Sequence, residues 1–284
     1  MKKSINIWSF PSNWDFHRKL ETARQAGFEG FEPELSEIGP VNLSSSQDDL
    51  AAVRTLVERH GLKLSGLATG LYWGANAASH DHGVRERAAE ILRRQIECAA
   101  ELGIDAILVV PAAVGVDFIP GAEVAPYDVA YERAHTLIQA ALPAAERHGV
   151  CIAIENVWNK FLLSPLEMRD FIDSFQSEWV GSYLDVGNAL ATGYPEHWIR
   201  ILGHRIKRVH FKDYRRAVGS TAGFVDLLSG DVNWPAVMGE LRAIHYSGWI
   251  AAEMIPPAPF YKYCPEILIQ NTARAMDAIF ALHE

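Results

Sequence analysis

The feature that most constrains the fold is a cadence that recurs along the chain, in which an amphipathic stretch ends at a glycine and a short apolar run follows. It occurs in QAGFEGFE, RHGLKLSGL, ELGIDAILVV, RHGVCIAIE and YSGWIAAEM. A glycine just beyond a helix can adopt the left-handed conformation that closes the last turn. A continuous run of Val, Ile, Leu and Ala suits a strand that is buried on both faces. The cadence therefore predicts helices that alternate with buried parallel strands.

The same reading, extended along the chain, predicts eight strands and eight helices. The strands are expected near 4–8, 28–32, 62–68, 105–110, 150–155, 180–185, 206–211 and 249–254. The helices are expected near 14–26, 47–60, 84–102, 128–148, 164–176, 195–203, 233–246 and 263–283. Eight such units in 284 residues suit a (β/α)8 barrel, which typically takes about 250 residues.

The main alternative is an open, doubly wound sheet. That fold usually carries a glycine-rich phosphate-binding loop after an early strand, whereas here the first predicted strand runs into SFPSNWD. No low-complexity linker and no change in composition divides the chain. We therefore predict an α/β fold, a (β/α)8 TIM barrel, as a single domain that spans residues 1–284.

Composition narrows the partners and the compartment. The chain has 26 Lys and Arg against 35 Asp and Glu, a net charge of −9, and an acidic surface disfavours nucleic acid. No apolar run approaches the roughly 18 residues of a membrane span. The N-terminus, MKKSINIWSFPSNWD, meets polar residues and proline too early for a signal peptide. We expect a cytoplasmic protein with neither nucleic-acid nor membrane partners.

Four consecutive predicted strands end at ionisable residues: Glu155, Asp185, His210 and Glu253. In a (β/α)8 barrel the strand ends line the C-terminal mouth, where the chemistry takes place. Three carboxylates gathered there would repel one another by on the order of several kcal/mol, and a divalent cation would remove that cost. A single acid at a strand end is usually a solvated cap, but four in succession favour a metal site. Oxygen ligands with one imidazole suit Mn²⁺, Mg²⁺, Co²⁺ or Zn²⁺, and the ligand set alone does not choose among them.

The segments around these residues, IAIEN, YLDVGN, VHFKD and IAAEM, resemble the metal-site segments of the xylose-isomerase-like barrel family. That family holds sugar isomerases and epimerases, inosose dehydratases and the endonuclease IV nucleases, and the likeness is strongest to ketose and ketose-phosphate 3-epimerases. The resemblance implies that Glu155, Asp185, His210 and Glu253 bind one divalent ion. It also implies that Glu155 and Glu253 transfer a proton at the carbon next to the carbonyl, through an enediolate that the ion stabilises.

Two departures from relatives limit what the resemblance implies. The endonuclease IV nucleases carry a histidine three residues after the strand-six aspartate, where this chain has Asn188. Some free-ketose epimerases carry a further glutamate shortly after the strand-five glutamate, and the segment ENVWNKFLLS contains no such acid. The first departure argues against nuclease chemistry, and the second weakens any transfer of substrate contacts.

Five further residues are candidates for binding substrate. Lys212 resembles a lysine of ketose-phosphate members that approaches a substrate oxygen, and Arg215 and Arg216 follow it in the strand-seven loop. Barrel phosphate sites often lie near strands seven and eight, so these arginines are candidates for a terminal hydroxyl or a phosphate, although solvated loop charges would look the same. Asn188 is either a substrate contact or a helix cap, and Trp8 either walls the sugar or packs in the core.

Two acidic or histidine-rich segments elsewhere are less informative. Glu32 and Glu34 end a strand, but Pro33 leaves their direction open. The cluster His80, Asp81 and His82 is interpreted as a surface loop, because nothing nearby has ligand spacing.

The sequence thus predicts a metal-dependent sugar isomerase or epimerase that acts on a ketose or ketose phosphate. An inosose-type dehydratase and a hydroxypyruvate-type isomerase remain open on the same barrel, since all three exchange a proton next to a carbonyl. The alternative of another class is a sugar-binding barrel without catalysis. By analogy with other barrels, a homodimer or homotetramer is possible.

Overall fold

The computed structural model describes residues 1–254 and 261–282. The strands are β1 Lys2–Asn6, β2 Gly30–Glu32, β3 Lys63–Leu64, β4 Ala106–Val109, β5 Cys151–Glu155, β6 Val180–Asp185, β7 Ile206–Phe211, β8 Asp213–Tyr214, β9 Phe224–Val225 and β10 Trp249–Ala252. The α-helices are α1 Phe16–Gln25, α2 Gln47–Arg59, α3 His82–Leu102, α4 Tyr127–His148, α5 Pro165–Asp173, α6 Val186–Ala189, α7 Pro195–Leu202, α8 Trp234–Ala243 and α9 Pro265–Phe280.

Eight of the strands form one parallel sheet in the order β3-β2-β1-β10-β7-β6-β5-β4. The two ends of this order also meet, because Leu67, just beyond β3, bridges Ile107 of β4 in parallel. The N–H of Leu108 donates to the carbonyl of Leu67 at 3.0 Å. The sheet therefore closes, and the prediction of a (β/α)8 TIM barrel is confirmed.

Local signals explain why the helices begin and end where they do. Gly103 and Gly149 cap α3 and α4 with φ of 72° and 66°, as the cadence predicts. Ser164 caps α5, with its side chain accepting from the N–H of Glu167, and Pro165 occupies the first turn. The fifth cadence glycine, Gly248, is not among the residues with positive φ. The residue with positive φ in this connection is His245, at 56°, shortly after the end of α8.

Three local features were not predicted. The strand expected at 4–8 begins and ends two residues earlier, since a 3-10 turn, Ile7–Ser9, follows Asn6. The short α6 starts directly after Asp185. In the loop after β7, β8 and β9 pair as an antiparallel hairpin. These features lie in the loops at the C-terminal mouth. The sequence there shows neither a hydrophobic period nor the repeated pattern of helix, glycine and strand. None of the helices within the described residues has the length and apolarity to cross a bilayer.

Candidate metal centre and active site

The C-terminal mouth of the barrel brings together the four strand-end residues. Asp185 is directly opposite His210 in the sheet register, and His210 is opposite Ala251 of β10. Because side chains alternate along a strand, Glu253 faces the same side as Ala251. One ligand-type atom from each of Glu155, Asp185, His210 and Glu253 lies within 4.8 Å of the others.

The unpaired atoms of this cluster fit a cation. All four side chains are buried, and Asp185 Oδ2, His210 Nδ1 and Glu253 Oε2 have no hydrogen bond of acceptable geometry with any described residue. They nevertheless lie at ion-pair distances, with His210 Nδ1 2.6 Å from Glu253 Oε2. Buried polar atoms without well-formed hydrogen bonds are costly, and the convergence of these four side chains favours a bound ion. Three carboxylates and an imidazole nitrogen are a donor set that suits a divalent metal.

The far side of the His210 ring is held by Glu32, which ends β2. His210 Nε2 lies 2.6 Å from Glu32 Oε2, and the Asn6 amide donates to the same oxygen at 2.5 Å. The Tyr183 hydroxyl donates to the other oxygen of Glu32. A carboxylate that accepts from the second ring nitrogen sets the tautomer and orientation of a metal-binding histidine. Glu32 therefore aims His210 Nδ1 at the cluster.

Sequence reasoning left the direction of Glu32 open because of Pro33. A signal for it exists: Asn6 and Glu32 both end their strands, as the four cluster residues do. The structure shows that Glu32 is fully buried and faces the barrel interior.

Lys212 supplies positive charge to the cluster. It is buried, and its Nζ lies 3.1 Å from Asp185 Oδ2 and 3.0 Å from Glu253 Oε2. The side chain reaches this position by passing over Gly187 of α6, where an added Cβ would lie 2.5 Å from the Lys212 Cβ. The lysine predicted as a substrate contact is thus also a neutralising partner of two cluster carboxylates.

The two glutamates experience opposite environments. Burial raises the pKa of Glu155 to about 7. Burial would also raise the pKa of Glu253, but the attraction of Lys212 and His210 outweighs it and lowers that pKa to about 2. Two carboxylates whose pKa values are pushed apart form an acid and base pair. Burial alone would lower the pKa of His210, but the negative charges of Glu32 and Glu253 raise it well above its ordinary value.

A cavity of about 890 Å³ opens over the cluster. Its lining includes Trp8, Asn188 and Lys212, three of the candidate substrate contacts, together with Glu155 and Glu253. Volumes of this order are typical of small-molecule sites. Trp8 is therefore a wall residue here, and its indole N–H donates to Glu34 Oε2 at 2.5 Å. The lining also includes residues that sequence reasoning did not assign to the site: Lys19, Glu34, Trp73, Trp158 and Phe224.

The structure does not bring the two candidate arginines into this cavity. Arg215 is exposed, and its Nε donates to the carbonyl of Ser229 at 3.0 Å. Arg216 is also exposed, and its guanidinium lies over the ring of Tyr194, 4.3 Å from the centroid. The β8–β9 hairpin turns the chain after Lys212. Both arginines are therefore exposed, although they follow Lys212 closely in the sequence.

Asn188 has a backbone role as well as a place in the cavity. Its N–H donates to Asp185 Oδ1 at 2.7 Å, so that Asp185 is the residue that caps α6, while the buried side-chain nitrogen of Asn188 has no acceptor among the described residues. The segment from His80 to His82 is a helix start, since the Asp81 side chain caps α3. The segment lies at the surface, as interpreted, but His82 belongs to α3 and not to a loop.

The closed barrel and the ligand-type cluster at its mouth define a class of protein, a (β/α)8 barrel with a candidate metal centre. The chain belongs to the xylose isomerase-like TIM barrel family, whose family profile matches residues 20–275.

Individual relatives have low sequence identity to this chain. A putative L-ribulose-5-phosphate 3-epimerase, SgbU of Escherichia coli K12, is 27% identical over 252 residues, which cover 83% of this chain and 82% of the relative. The structure of an L-ribulose 3-epimerase aligns with a TM-score of 0.81 at 18% identity, over 98% of this chain and 94% of the other. The IolI protein, solved with a zinc atom, aligns with a TM-score of 0.78 at 19% identity, over 99% and 98%.

Proposed function

We propose that this chain is a divalent-metal-dependent epimerase or isomerase of a ketose or ketose phosphate, which transfers a proton at the carbon next to the carbonyl. Its family and its epimerase relatives place it among enzymes of the isomerase class. The observation that carries the finer proposal is that Glu155 and Glu253, two buried carboxylates of the four-residue cluster, line the same cavity.

The two glutamates perform the proton transfer. The ionised Glu253 takes the proton from the carbon, and the electron pair of the broken C–H bond moves toward the carbonyl oxygen. The protonated Glu155 then gives a proton back to the opposite face, which inverts the centre, and the two exchange roles in the reverse direction. Positioned acid and base groups of this kind typically contribute about 10² to 10⁴ in rate.

Other residues hold the substrate and the charge. Glu155, Asp185, His210 and Glu253 are proposed to bind one divalent ion, Mn²⁺ first, which supplies Lewis-acid stabilisation of the developing enediolate charge. Lys212 Nζ lies at the junction of the cavity and the cluster, from which it can donate to a substrate oxygen. Asn188 and Trp8 line the same cavity. The zinc atom in the IolI structure supports a metal site on this fold.

The test is proton exchange with solvent. The protein is loaded with Mn²⁺, incubated with free and phosphorylated ketoses in D₂O, and the products are analysed by NMR. Deuterium should appear at the carbon next to the carbonyl, together with an inverted product. Glu155→Gln and Glu253→Gln should each lower turnover at least about a hundredfold and leave the circular dichroism spectrum unchanged. Glu29→Gln, on an exposed residue, is the matched control.

Near-normal turnover in either glutamine variant would show that the two-base assignment is wrong. Loss of water from the product would identify a dehydratase, and no exchange across the panel would favour the sugar-binding alternative. We also expect about one divalent ion per chain on metal analysis, a homodimer or homotetramer by light scattering, and a cytoplasmic location by cell fractionation.

A further inference from the structure

We infer that Lys19 is a specificity-determining residue, which binds a carboxylate at the end of the substrate that does not react. The substrate is then a ketose whose far carbon is oxidised to a carboxylate. Lys19 lines the same cavity as Glu155 and Glu253. The inference rests on the proposed function for the reacting end of the substrate and on the surroundings of Lys19 for the far end.

Lys19 is a buried ammonium that lacks a partner. The residue lies on α1 and is 9% exposed, and its side chain makes no ion pair or hydrogen bond with any described residue. Lys212, in the same cavity, lies 3.1 Å and 3.0 Å from two carboxylates. Desolvation on burial lowers the pKa of Lys19. A buried charge without a partner is costly, so the cavity favours a ligand that supplies the missing negative charge.

The two carboxylates that attract Lys19 through space are engaged elsewhere. Glu34 Oε2 accepts from the indole N–H of Trp8 at 2.5 Å. Asp15 Oδ1 accepts from the N–H of Arg18 at 2.8 Å and so caps α1. Both raise the pKa of Lys19, but by less than burial lowers it. Neither carboxylate therefore takes the place of a direct partner.

The barrel places Lys19 on a different side of the mouth from most of the cluster. Trp8 and Ser12 follow β1, Glu34 follows β2, and all three line the cavity with Lys19. The cluster residues end β5, β6 and β7 or follow β10, and β1 and β2 lie beyond β10 in the sheet order. A substrate whose carbonyl lies at the cluster can therefore extend its other end toward Lys19 within one cavity.

The charge on this side of the cavity matches one negative charge. Lys19 and Lys212 are the basic residues of the described lining, and Lys212 is held by two carboxylates. One ammonium balances one carboxylate, whereas a phosphate monoester carries roughly −1.5 to −2 charge and would leave a surplus beside Glu34. An ammonium also forms a stronger hydrogen bond with a carboxylate than with a neutral hydroxyl. The match favours a carboxylate over both.

The neighbouring smaller cavity, of about 270 Å³, offers no competing cation. It shares Phe118, Trp158 and Asn188 with the main cavity, and Lys160 is the basic residue of its described lining. Lys160 Nζ lies 2.6 Å from Oδ1 of Asp117, which lines the same cavity. Among the described residues, Lys19 is therefore the cation that an acidic end of the substrate meets without displacing another carboxylate.

The test is isothermal titration calorimetry of the Mn²⁺-loaded protein with D-fructuronate, D-fructose and D-fructose 6-phosphate, which differ only at the far carbon. D-fructuronate should bind at least about tenfold more tightly than D-fructose, as expected for a hydrogen bond between charged groups.

Variants of Lys19 separate its charge from its packing. Lys19→Met keeps the length of the side chain and removes the charge, so the preference for D-fructuronate should fall below about twofold. Lys19→Arg keeps the charge and should keep most of the preference. The matched control is Lys63→Met, on an exposed lysine of β3, which should leave the preference unchanged. Thermal melts check that the variants fold.

Three results overturn the inference: no binding of D-fructuronate, a preference for it that a folded Lys19→Met variant retains, or tighter binding of D-fructose 6-phosphate. The proposed function fails separately. A preference for the carboxylate that depends on Lys19, without deuterium exchange, refutes the function and supports the inference. Exchange without that preference does the reverse.

Discussion

Replacing Glu32 with glutamine should weaken metal binding by about ten- to a hundredfold, the range found when the partner of a metal-binding histidine is altered. Glu32 does not belong to the four-residue cluster. It acts on that cluster through His210, whose Nε2 lies 2.6 Å from its carboxylate. Glutamine has nearly the same shape, so the substitution tests the charge of Glu32 and not its packing.

The size of the effect follows from the groups that meet at Glu32. Its carboxylate accepts from Asn6 and Tyr183 and faces His210, all in the buried interior. A glutamine carbonyl can still accept at one oxygen position, but a hydrogen bond to a neutral acceptor is about half as strong as one to a carboxylate. His210 Nδ1 then becomes a weaker ligand. The expected loss corresponds to about 1.4 to 2.7 kcal/mol of binding free energy.

The assay is titration of the metal-free protein with Mn²⁺ by calorimetry, with Co²⁺ absorption as a second measure of ligand geometry. Tyr183→Phe removes one donor to Glu32 and keeps the charge, so its loss should be smaller than that of Glu32→Gln. Glu29→Gln, a few residues earlier on an exposed side chain, should bind Mn²⁺ as the unaltered protein does. A folded Glu32→Gln variant with unchanged Mn²⁺ affinity and Co²⁺ spectrum would refute the assignment of Glu32 as a positioning residue.

Two further predictions concern stability and packing. Burial raises the pKa of Glu155 from 4.5 to about 7, so without metal the folded state keeps a proton that the unfolded state releases, and stability should fall as pH rises through this window. The melting temperature of the metal-free protein in EDTA should therefore fall more from pH 5 to pH 8 than that of Glu155→Gln, which has no carboxyl group to titrate, and an equal trend in the two proteins would contradict this. Gly187→Ala places a Cβ 2.5 Å from the Lys212 Cβ. It should therefore displace Lys212 and lower both the melting temperature and the Mn²⁺ affinity. The control, Gly103→Ser, lies at a helix end with open space around it and should change the melting temperature alone.

Much of the barrel could be predicted because its signals are local. The glycines that close α3 and α4, the Ser164–Pro165 start of α5 and the buried apolar runs all act within a few residues. In a parallel barrel each strand end is carried to the same mouth, so the residue type that ends a run indicates what the mouth contains. That is why the cluster of Glu155, Asp185, His210 and Glu253 could be proposed before any distance was known.

Loop residues were less predictable, since their direction depends on contacts distant in sequence. Arg215 and Arg216 follow His210 closely, yet the β8–β9 hairpin turns them outward. Lys212, in the same segment, points inward because α6 presents Gly187 where its side chain passes. Neighbouring cations of one short segment thus point in opposite directions, Lys212 toward the cluster and the arginines toward solvent.

The amino-acid order by itself determined the repeated β-then-α architecture and the four ionisable strand ends, because backbone propensity and side-chain alternation are properties of short segments. Only the tertiary structure decided how those groups are charged and oriented. Glu32 reaches His210 across 178 positions of sequence, and Lys212 meets Asp185 and Glu253 from a different element. Electrostatic pairing depends on distance in space and on burial, and both arise only when the barrel closes.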